Sequence, residues 1–270
     1  MSNNQVFVAF DIETTGLLPG VDRIIELAGV AFQGDAVLST FEQLVDPGIP
    51  IPCEASRVNG ITDDMVKGMP TISETLPGFL AFLRRGTPVA HNAVFDVSFL
   101  WGDIEAAGIA PLEGPVLDTR GLARRAFPGR FSYSLGNLVR DMGLTVDSAH
   151  RARADAQACR LLFVLCVGLL GKETMPGVEE LSRMSGAPLD FGQHAPRQAR
   201  TAVALDQALR NGSTVEISYR SAGGERTERR IRPLSFVRVG GSVAVVAFCM
   251  MRNDRRTFLI DSILEVRAVP

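Results

Sequence analysis

Two regimes of apolar patterning divide the first 170 residues. Val6–Phe10 is a short, mostly β-branched or aromatic run that reads as a buried strand. Ile24–Phe32 and Val37–Val45 are two further strands, separated by Gln33-Gly34-Asp35-Ala36, which has hairpin-turn chemistry. Prolines at 47, 50 and 52 make a loop. Beyond it the spacing changes. Leu76, Leu80 and Leu83 predict a helix over Ser73–Leu83, capped by Thr71 or Ser73. Val89-Ala90 begins a short strand, and helices are predicted over Val94–Ala107, Ser134–Met142 and Arg153–Leu170. A strand meander followed by strand–helix alternation predicts an α/β domain, a mixed sheet with flanking helices.

The pattern changes again after Gly171. Pro176, Gly177, Gly186, Pro188, Gly192 and Pro196 give residues 173–200 the composition of a linker. Thr201–Arg210 has helical spacing. Five short strands follow: Thr214–Tyr219, Thr227–Ile231, Ser235–Val239, Ser242–Met250 and Thr257–Ile260, the first two joined at Ala222-Gly223-Gly224. The division expected is a domain over 1–172, a linker over 173–200 and a small β-rich domain over 201–270, within what 270 residues allow.

Composition removes several classes of function. At 46% hydrophobic residues the chain can bury a core, so a disordered protein is excluded. Its longest apolar run, Leu161–Leu170, is half of the roughly 20 residues a membrane span needs, so no membrane partner is expected. Met1–Gln5 is short and polar, with no secretory pattern. Cys53, Cys159, Cys166 and Cys249 form no C-x-x-C pair, which points away from a zinc site or a disulfide framework and toward a cytoplasmic location. Charge is unevenly placed. Of 28 basic and 30 acidic side chains, residues 200–270 hold 12 arginines and seven acids. An arginine-rich C-terminal part can bind phosphate, although biased base composition explains a chain with only Lys67 and Lys172 as lysines equally well.

The candidate chemistry lies in three segments. Asp11-Ile12-Glu13 follows the first strand, and alternation sends both acids to one face at its carboxyl end, where open α/β sheets place their sites. Two acids alone would describe an ordinary solvated loop. His91-Asn92-Ala93-Val94-Phe95-Asp96 adds a carboxylate early in a helix, and His150 with Asp155 adds an imidazole and a carboxylate at the start of the longest helix. Each has a bland alternative, Asp155 as a helix-end acid and His150 as a loop histidine. Together, four carboxylates and a histidine can hold two hard divalent cations through oxygen and provide a base of pKa about 6.5.

Phe10-Asp11-Ile12-Glu13-Thr14-Thr15-Gly16, His91-Asn92-Ala93-x-Phe95-Asp96 and His150-x-x-x-x-Asp155 resemble, in order, the three motifs of the DEDDh exonucleases. The nearest likeness is to those resembling the proofreading epsilon subunit of bacterial DNA polymerase III. Asn59-Gly60-Ile61-Thr62 resembles a further segment of that group. The resemblance implies an RNase H-like fold and a two-metal hydrolysis, with Mg²⁺ or Mn²⁺, that releases nucleoside monophosphates from single-stranded 3′ ends, DNA before RNA. It implies that Asp11 bridges both metals, that Glu13 and Asp155 ligate the ion holding the nucleophile, that Asp96 serves the other ion and that His150 is the general base. Thr14, Thr15, Gly16, Leu17, Leu18 and Ile61 would contact the terminal nucleotide, and His91 would be structural.

A second resemblance covers the C-terminal part. Ala208-Leu209-Arg210-Asn211-Gly212, Val215–Tyr219, Arg230-Ile231-Arg232-Pro233 and Arg255-Arg256-Thr257-Phe258 are similar to a WYL domain, a small Sm-like β-barrel associated with ligand or nucleic-acid sensing. Val243-Ala244-Val245 stands where that family has Trp-Tyr-Leu, which weakens base stacking. Arg230, Arg232, Arg255 and Arg256 are the phosphate contacts this resemblance implies, with a nucleotide or nucleic acid as ligand. Their alternative is a solvated barrel surface. At the level of the whole chain, the alternative is a sensor whose exonuclease fold only docks nucleic acid.

If His150 is the general base, His150→Ala lowers turnover roughly 10²- to 10⁴-fold, and Asp11→Ala abolishes it without unfolding the protein. Near-normal turnover of the His150 variant in a steady-state digestion assay removes the base assignment.

Overall fold

The computed structural model describes residues 5–145, 151–171, 176–186, 189–191, 195–221, 223–239 and 242–269. Its first sheet contains β1 (Phe7–Thr14), β2 (Ile24–Gln33), β3 (Ala36–Leu44), β4 (Thr87–Ala90) and β5 (Leu117–Asp118), in the order β3-β2-β1-β4-β5. The meander β1–β3 is antiparallel, whereas β4 runs parallel to β1 and β5. Around the sheet lie α1 (Cys53–Asn59), α2 (Asp63–Val66), α3 (Ile72–Leu83), α4 (Val94–Ala106), α5 (Thr119–Ala126), α6 (Leu135–Asp141) and α7 (Ala152–Leu170). This is the mixed α/β architecture that the patterning predicts. Helices α1, α2 and α5 are additions. Each buries only one to three side chains, too few to leave a period in the sequence.

Alternation along β1 builds both layers. Val8, Phe10 and Ile12 enter the core made with α3 and α4, where Phe10 meets Phe79 at 6.2 Å between ring centres. Phe7 and Ala9 enter the core under α7, where Phe7 lies 4.7 Å from Phe163. Asp11 and Glu13 continue the Phe7–Ala9 row, so the strand itself delivers both carboxylates toward α7. The strand also runs four residues further than its apolar run, through both acids to Thr14.

The connection between the two halves contains α8 (Val178–Ser185), and it packs on the first domain. Leu181 is buried beside α5 and α7, Leu189 and Phe191 are buried against α3 and α4, and the Val116 N–H donates to the Leu189 carbonyl at 2.8 Å. A proline- and glycine-rich composition reads as a tether because it suppresses periodicity, but the few apolar residues it keeps are the ones that dock. Gly121 of α5 marks the closest approach. A Cβ there would lie 1.6 Å from the Ser185 carbonyl oxygen.

The C-terminal sheet follows α9 (Ala195–Arg210). Its strands are β6 (Val215–Arg220), β7 (Arg226–Val239), β8 (Ser242–Cys249), β9 (Asp254–Leu259) and β10 (Ile263–Ala268), antiparallel in the order β10-β6-β7-β8-β9. The two strands expected at 227–231 and 235–239 are one, because a bulge between Pro233 and Ser235 absorbs the proline that separates them in the sequence. The edge strands β9 and β10 are joined by a single turn of 3-10 helix, Ile260–Ser262. A flat five-stranded sheet holds its edges roughly 19 Å apart, more than the ~14 Å that so short a connection reaches fully extended. The sheet therefore curls. Ala202, Leu205 and Ala208 of α9 pack into its concave side with Ile217, Ile231, Val245 and Ile263. No helix among the described residues is long and apolar enough to cross a membrane.

Replacing Gly121 with Ala drives a methyl group into the backbone of α8. The expected cost is about 1–3 kcal/mol, read as a melting temperature lower by several degrees. An unchanged melting temperature would show that α8 is not held where it lies.

Candidate active site

The carboxylates gather where the parallel pair β1–β4 opens at its carboxyl end. Asp11 and Glu13 come from β1 and Asp155 from the first turn of α7, and an oxygen of each lies within 4.8 Å of the others. The small face of α7, with Ala152, Ala156 and Cys159 buried, lets the helix approach the sheet this closely. Asp96 arrives from the opposite layer. It is almost fully buried on α4, and its Oδ1 accepts the Ile12 N–H at 3.3 Å.

These groups are desolvated together. Burial raises Asp11 well above the usual carboxylate range, and the charges of Asp96, Asp155 and Glu13 raise it further. Asp96 is also raised well above its ordinary value by burial, against the lowering effect of backbone N–H donors that include Ile12. Glu13 is raised to about 7 by burial and then by Asp155 and Glu26, while a hydrogen bond from Asn59 and the charge of Arg238 oppose the shift. Hard oxygen donors in such a cluster are the donor set a divalent cation takes, and positive charge is what the cluster lacks. The residues fit a metal.

One member of the site is invisible in the sequence pattern. Glu26 sits in a run of buried β2 residues, fully inaccessible, directly across the ladder from Glu13. Like charges placed so destabilise a sheet. Arg151 neutralises Glu26 through its Nε and Nη2, the latter at 2.5 Å, and the Ala152 N–H donates to Glu26 Oε2 at 2.9 Å. This pair ties the start of α7 to β2 and thereby sets Asp155 against Asp11. The only sequence signal was a lone acid inside an apolar strand.

An open cleft of about 790 Å³ exposes the cluster. Thr14, Thr15, Gly16 and Leu17 line it, as do Asn59 and Val58 of α1. The loop after β1 is internally braced: Asp22 Oδ2 accepts the Leu18 N–H at 2.8 Å, and Thr15 Oγ1 accepts the Arg23 N–H at 2.9 Å. Gly16 is required there, because a Cβ would lie 2.4 Å from the Asp22 carboxylate. Two expected nucleotide contacts lie elsewhere. Leu18 is buried in the core of the C-terminal domain, and Ile61 is buried with Ile25, Ile51 and Val66. Both are apolar residues beside a motif, and packing took them while their neighbours Leu17 and Val58 face the cleft. His150 lies outside the described residues.

His91, read as structural, is held at both ring nitrogens. Nε2 lies 2.9 Å from the Tyr133 carbonyl and Nδ1 2.9 Å from Thr119 Oγ1, so the ring donates to the first and accepts from the second. Burial lowers its pKa to about 4, keeping it neutral. Arg230, Arg232, Arg255 and Arg256 are exposed on the C-terminal sheet and do not line the cleft. Arg230 lies 3.4 Å from Glu216, and Arg232 and Arg255 flank Phe248 in register across β7, β8 and β9. Among the described arginines of the C-terminal domain, Arg238, which no motif singles out, lines the cleft, together with Arg120 and Arg140 of the first domain.

Comparison with known proteins gives the chain its family. The family model described as Exonuclease matches residues 8–163, and the WYL domain model matches residues 200–268. The DNA polymerase III subunit epsilon of Treponema pallidum is 41% identical over 169 residues, covering 62% of this chain and 79% of that protein. The DNA polymerase III PolC-type of Clostridium perfringens is 39% identical over 157 residues, but the overlap is 58% of this chain and 11% of that one. Among solved structures, exonuclease X in complex with 5′-overhanging duplex DNA has a TM-score of 0.52 at 27% identity, over 67% of this chain and 99% of its own. Exonuclease I, at 15% identity and a TM-score of 0.56, shares the fold over 91% of this chain and 55% of its own. The chain belongs to the exonuclease family over residues 8–163, and a WYL domain follows it.

The shift of Glu13 makes stability depend on pH. Its folded pKa, about 7, exceeds the ordinary 4.5, so its contribution is complete below pH 4.5 and lost as pH rises through 7. In chelator, the melting temperature is expected to fall by several degrees over that interval. Added Mg²⁺ should reverse the fall, because it binds the ionised form. A flat profile in chelator would overturn this account of the cluster.

Proposed function

We propose that this protein hydrolyses the terminal phosphodiester of single-stranded 3′ ends, DNA in preference to RNA, with two divalent cations, Mg²⁺ or Mn²⁺. The observation that carries the reading is the convergence of Asp11, Glu13 and Asp155 at one point of an open cleft that Asp96 also lines from the other layer, close enough for its charge to act on Asp11. Asp11, which feels all three of the other acids, would hold both cations, with Glu13 and Asp155 helping to hold one and Asp96 the other. Bound there, the cations supply positive charge to the scissile phosphate and to the attacking and leaving oxygens.

The chain's own residues do the rest. His150 takes a proton from the attacking water as the new phosphorus–oxygen bond forms and the bond to the 3′ oxygen of the preceding nucleotide breaks. That oxygen leaves with a proton from solvent, and a nucleoside 5′-monophosphate is released. A hydrogen bond from Asn59 favours the ionised form of Glu13 against the burial that raises it. Thr14, Thr15 and Gly16 shape the floor under the terminal nucleotide, and Leu17, with Val58 opposite, offers the apolar surface for its base. Residues 1–172 form the nuclease and residues 201–270 a domain that binds nucleic acid or regulates the nuclease, with Arg230, Arg232, Arg255 and Arg256 as phosphate contacts of its outer face. A cytoplasmic setting belongs to the same reading and rests on four free cysteines.

The test is digestion of matched 5′-labelled and 3′-labelled single-stranded DNA and RNA oligonucleotides by the wild type and by Asp11→Ala, with Mg²⁺, with Mn²⁺ and with chelator. Metal-dependent stepwise shortening from the 3′ end, lost in the variant, is expected, with DNA degraded faster than RNA. No cleavage by folded, metal-loaded protein would sink the proposal and favour a sensor that only docks nucleic acid.

A further inference from the structure

We propose that Arg238, on the β7–β8 hairpin of the C-terminal domain, is a phosphate-binding residue of the exonuclease cleft and grips an internucleotide phosphate of the strand whose 3′ end occupies the acidic cluster. The inference rests on the exonuclease reading and extends it, because it makes the second domain part of the active site.

The hairpin is docked on the first domain. β7 is 14 residues long, and its far end, Arg238-Val239, pairs with Val243 and Ser242. Arg120 of α5 donates from Nη1 to Ser242 Oγ at 3.3 Å and to Asn92 Oδ1 at 2.8 Å, tying the hairpin to the turn that starts α4. Val243 and Ile260 face Leu17 and Phe95 across a gap of about 20 Å³. Over this contact the Arg238 guanidinium lies 5.2 Å from the centre of the Phe95 ring, and Phe95 is the residue before Asp96. A cation from one domain therefore sits at the mouth of an acidic site built by the other.

Charge argues for what it binds. The cleft concentrates Asp11, Glu13, Asp96 and Asp155, which would repel a polyanionic strand along any path not lined by cations. Three arginines line it. Arg120 is committed to the hairpin. Arg140 bonds Asn137 at 2.6 Å and lies 3.7 Å from Asp141. Arg238 is exposed and forms no close ion pair among the described residues, although its charge reaches Glu13 at the acidic cluster. Its guanidinium lies over the Phe95 ring, and its planar fork of N–H donors suits the two-oxygen recognition a phosphodiester offers. Arg230, Arg232, Arg255 and Arg256 lie outside the cleft and cannot do this for a strand inside it.

The test uses the full chain and a single-stranded oligonucleotide with Arg238→Ala, Arg238→Lys and Arg238→Glu, reading KM and kcat across a salt series, with melting temperatures as a folding control. Arg238→Ala should raise KM roughly tenfold at low salt and reduce the slope of log KM against log salt by about 0.7, the value of one phosphate contact on a single strand. Arg238→Lys should recover most of that slope, and Arg238→Glu should raise KM well beyond the alanine variant at low salt. Equal KM for Ala and Glu with an unchanged salt slope would show that the side chain only packs on Phe95, and the proposal would fall. If the wild type itself digests nothing, the exonuclease reading fails first. If it digests and the variants match it, only the role of Arg238 fails.

Discussion

Crowding of acids in a space with little water is the constraint on which the site depends. Asp11, Glu13, Asp96 and Asp155 each gain nothing from being near the others, and burial makes the repulsion stronger than it would be at a surface. The fold holds them there because every one is anchored by something stronger than their mutual repulsion. Two ride on a strand whose first four residues are completely buried, one on a helix packed into the opposite core, and one on a helix whose first turn is clamped by an ion pair. The result is an arrangement that stores a demand for cations, which is what a site that works through divalent metals requires.

Glu26 and Arg151 are the reason that α7 starts where it does. An unpaired carboxylate at Glu26 would be untenable among the buried residues of β2, so Arg151 and the first N–H of the helix both converge on it. The pair sits one ladder step from Glu13. It offsets part of a fifth negative charge, which still raises Asp11 and Glu13, while using that charge to position the helix that carries Asp155. A single buried glutamate thus links the sheet, the helix register and the geometry of the site.

The second domain is joined to the first by more than chain connectivity. Leu18, in the loop after β1, belongs to the C-terminal core, and Arg200 of α9 lies over Trp101 of α4 at 5.9 Å. The same loop that begins the acidic motif is therefore held from behind by the C-terminal domain, and the β7–β8 hairpin overhangs it from the front. A change in either domain reaches the cleft through packed side chains rather than through a flexible tether.

Alternation and period read from the sequence alone determined the strand meander, the flanking helices, the second β-rich unit and the motif acids, because these depend on local spacing. Asp11 and Glu13 must share a face if the chain is extended, and Asp155 must lie in the first turn of α7 if the helix begins before it. What the sequence did not contain was which apolar neighbours of the motifs would be taken into cores: Leu18 and Ile61 went inward, and Leu17 and Val58 remained at the cleft. Nor did it contain the partner of Glu26 or the place of Arg238. The last two depend on residues more than a hundred positions apart meeting in space, and no local period encodes such a meeting. Only the packing of the two sheets and their helices decides it.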